Sequence, residues 1–425
     1  LNGTGFKAIA GNYSAFPDAS GKVAGAVAVI GDAPDVWALA ALPAQLPAGA
    51  WEIQGTYAGD EAESWALGWA LSTYRFSRYK AFKGSFAQLV APKGVEAARV
   101  KSMAASLCWA RDLINMPACD MHPAALAQEA ANWGKQAGGK VSVLKGEALL
   151  KANYPLVYTV GKAAEVPPHL VDLRFANKGA PKVTLVGKGV TFDSGGLDIK
   201  SSGNMKMMKK DMGGAAAVLA LARMIVEAKL PVSLRVLIPT VENAISGNAM
   251  RPLDVVKSRK GITVEIGNTD AEGRLILCDA LAEADAEKPD LLIDCATLTG
   301  AARVALGADV PAFFTPDDAL AEALSRHSQQ QADPLWRLPL WKGYRKQIDS
   351  ANADLSNDPE SAYGGAITAA LYLQEFVSKT PHWLHIDMMA WNLQSRPGGP
   401  QGGEAMAVRA LFALIKERYG TGKRR

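Results

Sequence analysis

Cysteine and histidine are scarce in this chain of 425 residues, with four and five copies. Cys108, Cys119, Cys278 and Cys295 form no CxxC pair and no repeating framework, which argues against a disulfide scaffold and for reduced, mostly buried thiols in a cytoplasmic protein. With so few histidines no Ser-His-Asp order can be argued, and Ser194-Gly195-Gly196 is not the Gly-x-Ser-x-Gly elbow of a nucleophilic serine. No apolar run reaches the length that crosses a membrane. The 46 basic residues nearly balance the 42 acidic ones, for a net charge of +4, and leave no basic tract suited to nucleic acid. The opening Leu1–Gly5 lacks a charged region followed by an apolar core, so no secretory signal is read there, and the sequons at Asn2 and Asn12 carry little weight without one. The final Lys423-Arg424-Arg425 reads as a solvated tail.

What is present describes an ordinary globular protein with ample core: 49% hydrophobic and 21% charged residues. At roughly 150 residues per domain, the length suggests two to three domains. Residues 1–95 carry short apolar runs, such as Val23–Ile30 and Phe86–Val90, and a helical stretch at Glu61 to Tyr74, which we read as a smaller α/β amino-terminal domain. A helical pattern from Val95 to Ile114, broken by Asn115-Met116-Pro117, makes 96–116 a connecting helix. In 117–425 strands and helices alternate, with strands expected near 183–187, 233–238, 262–266, 291–295 and 383–387. That alternation predicts an α/β catalytic domain with a mostly parallel sheet flanked by helices.

The most informative segment is Asn268-Thr269-Asp270-Ala271-Glu272-Gly273-Arg274-Leu275. In an extended chain its alternating Asp270, Glu272 and Arg274 face one way, and a helical pattern follows from Leu275. Acidic residues at a helix start are common as dipole partners, so a second cluster is needed to shift the odds. It lies upstream, in Val186-Gly187-Lys188-Gly189-Val190-Thr191-Phe192-Asp193-Ser194-Gly195-Gly196, followed by Asp198, Lys200 and Asp211. Lys188 comes directly after the buried strand Val183–Val186, where α/β sheets present side chains to a site. The Gly187-Lys188-Gly189 turn lacks the spacing of a phosphate loop. Asp211 precedes the small-residue helix beginning at Ala215, and a cap is its bland reading. Asp198 is either a partner of the site or a solvated carboxylate.

Asp193, Asp211, Asp270 and Glu272 together place four carboxylates on segments ending at one sheet edge. Their mutual repulsion calls for cations, and hard divalent ions prefer such oxygens. Bridging carboxylates hold two ions about 3.5–4 Å apart, suited to activating a water for hydrolysis.

These segments, with Ala296-Thr297-Leu298-Thr299-Gly300-Ala301, resemble the signature segments of the leucyl (cytosol) aminopeptidase family, from about Arg111 to the Leu384-His385-Ile386-Asp387 strand. The resemblance implies a metal-dependent exopeptidase, a hydrolase that removes leucine-like amino-terminal residues from peptide substrates. It implies two divalent ions per subunit, Mn²⁺ or Zn²⁺. One would be ligated by Lys188, Asp193, Asp211 and Glu272, and the other by Asp193, Asp270 and Glu272. A ligating lysine must be neutral, against a free pKa of about 10.4, which adjacent cations favour. Lys200 corresponds to a lysine that polarises the scissile carbonyl. Arg274, with Leu298 beside it, corresponds to the site of a bicarbonate that acts as general base. Met208, Asn268, Thr297 and Gly300 match substrate-contacting residues, and an apolar pocket separates similar side chains only weakly. A homohexamer, a dimer of trimers, is implied as well.

Two departures concern substrate range and assembly. The amino-terminal part is short, and Gly398–Ala407 replaces a Gly-Ala-Thr-Gly-like family segment. Gly364–Ala370 is family-like and is expected to form a pocket wall, whereas His385-Ile386-Asp387 is expected to be structural. The alternatives are a DNA-binding regulator with secondary peptidase activity, which the near-neutral charge disfavours, and a narrower dipeptidase, for instance for cysteinylglycine.

Overall fold

The computed structural model describes residues 6–32, 35–55, 57 and 59–420; the Asn2 sequon and the Lys423–Arg425 tail lie outside the described residues. The chain divides into two compact units. One comprises Leu1–Cys108, Gln330–Ala332 and Asn392–Gly402, and the other Trp109–Gln329, Asp333–Trp391 and Gly403–Arg425.

In the first unit the apolar run at 23–30 yields the strand Val23–Ala28, paired antiparallel with Tyr13–Pro17. The run at 86–90 yields Ala87–Leu89, parallel to Gly49–Trp51. The helix Gly59–Ser72 opens with Asp60 and Glu61, favourable partners for its amino-terminal dipole. Its Trp65 and Trp69 pack with Leu39, Leu42, Leu46 and Ala87 into a separate small core, and the Trp69 indole N–H is satisfied by the Ala87 carbonyl at 3.0 Å. The expected connecting helix spans Ala97–Asn115 and stops just ahead of Pro117, whose ring restricts the helical conformation of the residue before it.

The second unit is built on a nine-stranded sheet. At its centre Trp383–Asp387, Leu291–Ala296, Lys182–Gly187 and Ser233–Asn243 run parallel, and Gly189–Asp193 runs parallel beside the far half of Ser233–Asn243. Flanking strands are antiparallel: Ala312–Phe314 beside Trp383–Asp387, His169–Phe175 beside Ser233–Asn243, and Lys140–Lys145 beyond it. Every residue of Leu291–Ala296 and Trp383–Asp387 is buried, which is why these strands read as continuous apolar runs: helices cover both faces.

One expected strand sits elsewhere. Thr263–Glu265 does not join the main sheet but lies in a three-stranded sheet, antiparallel to Val255–Lys257 and parallel to Leu355–Ser356. It cannot lie beside Leu291–Ala296, which is paired on one side with Lys182–Gly187 and on the other with Trp383–Asp387. The thiols are also less uniformly buried than expected: Cys278 and Cys295 are buried, but Cys108 is half-buried and Cys119 is exposed. Among the described residues no helix is long and apolar enough to cross a membrane.

The small-residue helix Gly213–Glu227 packs close to the central strands. A Cβ on Gly214 would overlap the Cys295 carbonyl, and one on Gly187 would fall 2.6 Å from the Ala215 Cα. The helix start and the strand ends therefore approach to backbone contact. Gly214→Ala should destabilise the protein by about 1–3 kcal/mol, the cost of overpacking against backbone that cannot yield. Urea unfolding monitored by tryptophan fluorescence checks this, and an unchanged midpoint would refute the packing argument.

Candidate metal centre

Several carboxyl-end turns of the parallel strands converge. Lys188 follows Lys182–Gly187, Asp193 ends Gly189–Asp193, and Thr297 follows Leu291–Ala296. The Lys188 backbone is fixed on both sides: its N–H donates to the Cys295 carbonyl at 3.0 Å and its own carbonyl accepts from Ala215 N at 2.9 Å. Asp211 lies in the 3₁₀ turn Met208–Met212, immediately before the helix Gly213–Glu227. Asp270 lies in the turn before the helix Glu272–Ala286, of which Glu272 is the first residue.

Asp193, Asp270 and Glu272 each present a carboxylate oxygen within 4.8 Å of the others. The Lys188 ammonium is 2.7 Å from Asp211 Oδ2 and 2.9 Å from Glu272 Oε1, and donates to the Thr297 carbonyl at 3.0 Å. The Lys200 ammonium is 2.8 Å from Asp193 Oδ2 and also pairs with Asp270. Gly273 leaves room here: a Cβ would lie 2.7 Å from the end of the Lys188 side chain, which would have to shift.

The electrostatics follow from burial and mutual charge. Burial, then the Asp193 charge, pushes the Glu272 carboxyl up to about 8. The same two causes raise Asp270 to about 6, against the opposing pull of Lys200. Burial alone would lower the Lys188 pKa, but the charges of Asp211, Glu272 and Asp193 outweigh it and hold the ammonium above its ordinary range. Lys200 is likewise raised, with Asp193 the chief cause after the opposing effect of burial.

The donor set fits divalent cations. Four carboxylates face two ammonium groups, which leaves an excess of negative charge in a buried place. Asp211 Oδ2 and Glu272 Oε1 are buried and share the single Lys188 ammonium, at 2.7 and 2.9 Å. Two buried carboxylates set against one ammonium keep negative charge that a divalent cation would offset.

Two local expectations need correction. Asp211 does not cap the following helix: the cap position is Met212, without a side-chain hydrogen bond, and Asp211 Oδ1 instead accepts the Thr297 hydroxyl at 2.8 Å. The 270–274 segment is not extended either. Asp270 and Glu272 converge because a turn and a helix start place them together, with the Asp270 N–H held by the Asn268 side chain at 2.8 Å. Arg274 is therefore a helical residue. It is buried, and burial lowers its pKa; it donates from Nη1 to the Asn357 carbonyl at 2.8 Å, while its Nε has no hydrogen-bond partner.

Of the remaining expected residues, Met208 is buried in the 3₁₀ turn. Leu298 donates its N–H to Asp387 at 2.9 Å. Gly300 is exposed and begins the helix Gly300–Leu306, which Thr299 caps by accepting from Ala302 N. Asp198 is a partner of the site, because its carboxylate accepts the Thr269 N–H at 2.8 Å. Gly364 takes a left-handed conformation at the start of Gly365–Gln374. In the 398–407 segment, the Gly403 N–H donates to Asn115 Oδ1 and Glu404 pairs with buried Arg111.

Sequence reasoning did not single out the residues that hold these carboxylates and their turns in place. Asn243 donates from Nδ2 to Asp193 Oδ1 at 2.8 Å and to the Thr269 carbonyl at 3.0 Å. Asp387 fixes the turn after Leu291–Ala296 by accepting from Leu298 N, Thr299 N and the Thr299 hydroxyl. His385 pairs with buried Asp294 rather than with the site. The available signal was polar residues within or at the ends of apolar strands, each requiring a partner.

Comparison with known proteins agrees with this geometry. Residues 108–412 match the model of the cytosol aminopeptidase family catalytic domain, and residues 1–92 match that of the M17 aminopeptidase amino-terminal domain. A probable cytosol aminopeptidase of Rhodococcus opacus (strain B4) is 41% identical over 373 residues, covering 83% of this chain and 74% of the relative. Peptidase B of Cronobacter sakazakii is 45% identical over 317 residues, covering 72% and 74% respectively. The crystal structure of cytosol aminopeptidase from Coxiella burnetii superposes with a TM-score of 0.95 at 47% identity, covering 98% of this chain and 92% of that one. The bottromycin maturation enzyme BotP in complex with Mn superposes with a TM-score of 0.89 at 35% identity, covering 98% and 95%. The chain belongs to the M17 cytosol aminopeptidase family of metal-dependent aminopeptidases.

Proposed function

We propose that this protein releases the amino-terminal residue, preferably leucine-like, from unblocked peptides at a pair of divalent ions held by Lys188, Asp193, Asp211, Asp270 and Glu272. The observation that carries this reading is the approach of the Asp193, Asp270 and Glu272 oxygens within 4.8 Å, with the Asp211 carboxylate buried beside Lys188, which it shares with Glu272. Mn²⁺ and Zn²⁺ both suit the set, and BotP is named as a complex with Mn. When bound, such ions supply Lewis-acid chemistry and lower the pKa of water at neutral pH.

The chain's own groups divide the remaining tasks. Lys188 would hold one ion through its neutral amine, a form that nearby positive charge favours. Lys200, paired with Asp193 and Asp270, carries the ammonium that would face the developing oxyanion. Arg274, with Nε unclaimed, would hold, with Leu298, a bicarbonate anion that would serve as general base. Met208, Asn268, Thr297 and Gly300 contact the substrate.

The same reading has a smaller domain at 1–95, a connecting helix at 96–116 and the catalytic domain at 117–425, in a cytoplasmic homohexamer. Trp336, Trp341, Tyr363 and Val304 are exposed apolar side chains of the kind that self-association covers. Light scattering should return the mass of six chains; a monomer at micromolar concentration would refute that assembly.

With Mn²⁺ or Zn²⁺ supplied, the protein should liberate leucine from leucyl-anilide. Asp270→Ala or Glu272→Ala should lower kcat by more than about 100-fold, beyond the usual effect of losing a ligand-orienting group. Arg274→Ala should slow turnover while elemental analysis finds the metal retained. Absence of leucine release with both metals would end the proposal.

Metal affinity should depend on pH with a definite sign. Below about pH 6 both Asp270 and Glu272 carry protons that an ion must displace, and up to about pH 8 Glu272 still does. Affinity for Mn²⁺ therefore rises steeply with pH through 6–8 and more gently above, where Lys188 alone still gives up a proton. Proton release, read by calorimetry in buffers of different ionisation enthalpy, should fall from about three per protein towards about one, the last from Lys188. An affinity that is flat or falls with pH would contradict this.

A further inference from the structure

The segment that bears Asp270, Glu272 and Arg274 is neither strand nor helix over its first half, so its backbone groups need partners from outside. One residue supplies most of them. Asn357, fully buried, accepts at Oδ1 from Gly267 N at 2.8 Å and Asn268 N at 3.2 Å. Its Nδ2 donates to the Asn268 carbonyl at 2.8 Å and the Ala271 carbonyl at 3.2 Å. Its main-chain carbonyl accepts from Arg274 Nη1 at 2.8 Å. We propose that Asn357 is a positioning residue of the reaction, which shapes the 267–274 segment so that Asp270 and Glu272 meet Asp193 and Arg274 is aimed at its anion; the inference rests on the two-metal reading above.

The chemistry of the side chain accounts for its identity. A carboxamide presents two acceptor lone pairs and two N–H donors in one plane, matching two amides and two carbonyls of the turn. Aspartate would lose both donors, and an apolar side chain would forfeit all four of these hydrogen bonds.

The scaffold explains how Asn357 reaches this place. It follows the strand Leu355–Ser356, which pairs in parallel with Thr263–Glu265, and its N–H donates to the Glu265 carbonyl at 3.1 Å. Asp354 pins the register by accepting the Thr263 N–H at 2.8 Å and hydroxyl at 2.7 Å. The small sheet thus delivers the metal-binding turn and its clamp together. On its other side the turn is held at Thr269, whose hydroxyl donates to the Gly195 carbonyl at 2.6 Å and whose carbonyl accepts from Asn243. Asn357 touches none of the proposed metal-binding side chains, so it acts only through the shape of the turn.

The test compares Asn357→Asp and Asn357→Ala with the unaltered protein in three measurements: Mn²⁺ titration by calorimetry, kcat and KM separately for leucyl-anilide, and the thermal midpoint without metal. We expect the weaker Mn²⁺ site to lose about 10–100-fold in affinity, kcat to fall, and KM to move by less than about threefold, as when an outer partner of a metal site is removed. Asp333→Asn serves as the comparison. Asp333 accepts from the backbone of Ala407, Arg409 and Ala410 at another helix start, so this variant should lower the thermal midpoint yet leave Mn²⁺ affinity within about twofold, as for distant independent sites. If Asn357→Ala does not fold, Asn357→Asp, nearly equal in size, is decisive. Variants that lose thermal stability but bind both ions as tightly as the parent overturn the positioning role. A parent protein that does not bind two Mn²⁺ ions overturns the two-metal reading itself, a result distinct from the first.

Discussion

The site depends on how negative charge is compensated where water has little access. Asp193, Asp211, Asp270 and Glu272 crowd together, and Lys188 and Lys200 offset only part of that charge. Each lysine is held above its ordinary pKa by the carboxylates around it, while Glu272 and Asp270 are driven up by burial and by Asp193. Such an arrangement is poorly satisfied by protein groups alone and responds to any cation of suitable hardness.

The fold tolerates this concentration of charge because rigid backbone surrounds it. Parallel strands buried on both faces end in line, and glycines let neighbouring elements close to backbone distance: Gly187 and Gly214 where helix meets sheet, and Gly273 where Lys188 passes. Buried polar side chains then take over the fine placement. Thr297 holds Asp211, Asn243 holds Asp193, and Asp387 holds the turn from which Thr297 projects. Little freedom is left for the carboxylates to relax apart, which is what preorganises a site for ions.

Particular residues show why some of this was legible before the structure and some was not. The central strands were visible as apolar runs because burial on both faces removes alternation. The helix Ala97–Asn115 was visible because Pro117 marks its end. Thr263–Glu265 looked like its neighbours but joined a different sheet, since a short apolar run carries no information about its partner strand. Asp270, Glu272 and Arg274 were read as alternating residues of an extended chain, yet a helix starts at Glu272. Asp193, Asp270 and Glu272 do approach one another, but by a turn and a helix start rather than by alternation along an extended chain. Asn357 was not singled out at all, because nothing near it in sequence discloses that its four side-chain hydrogen bonds reach some 90 residues back.

Local chemistry alone determined the kind of protein this is: the order and composition of the acidic segments, the glycine-flanked lysine and the Asn268–Leu275 signature are covalent facts, and they suffice to indicate the family. Tertiary structure alone decided which carboxylate oxygen faces which ammonium group, which carboxylate accepts a hydroxyl instead of capping a helix, and which distant amide holds the turn that carries Asp270. Those choices depend on contacts between residues far apart in the chain, where burial and close approach set the energy of a charge, and no property of a short segment contains that information.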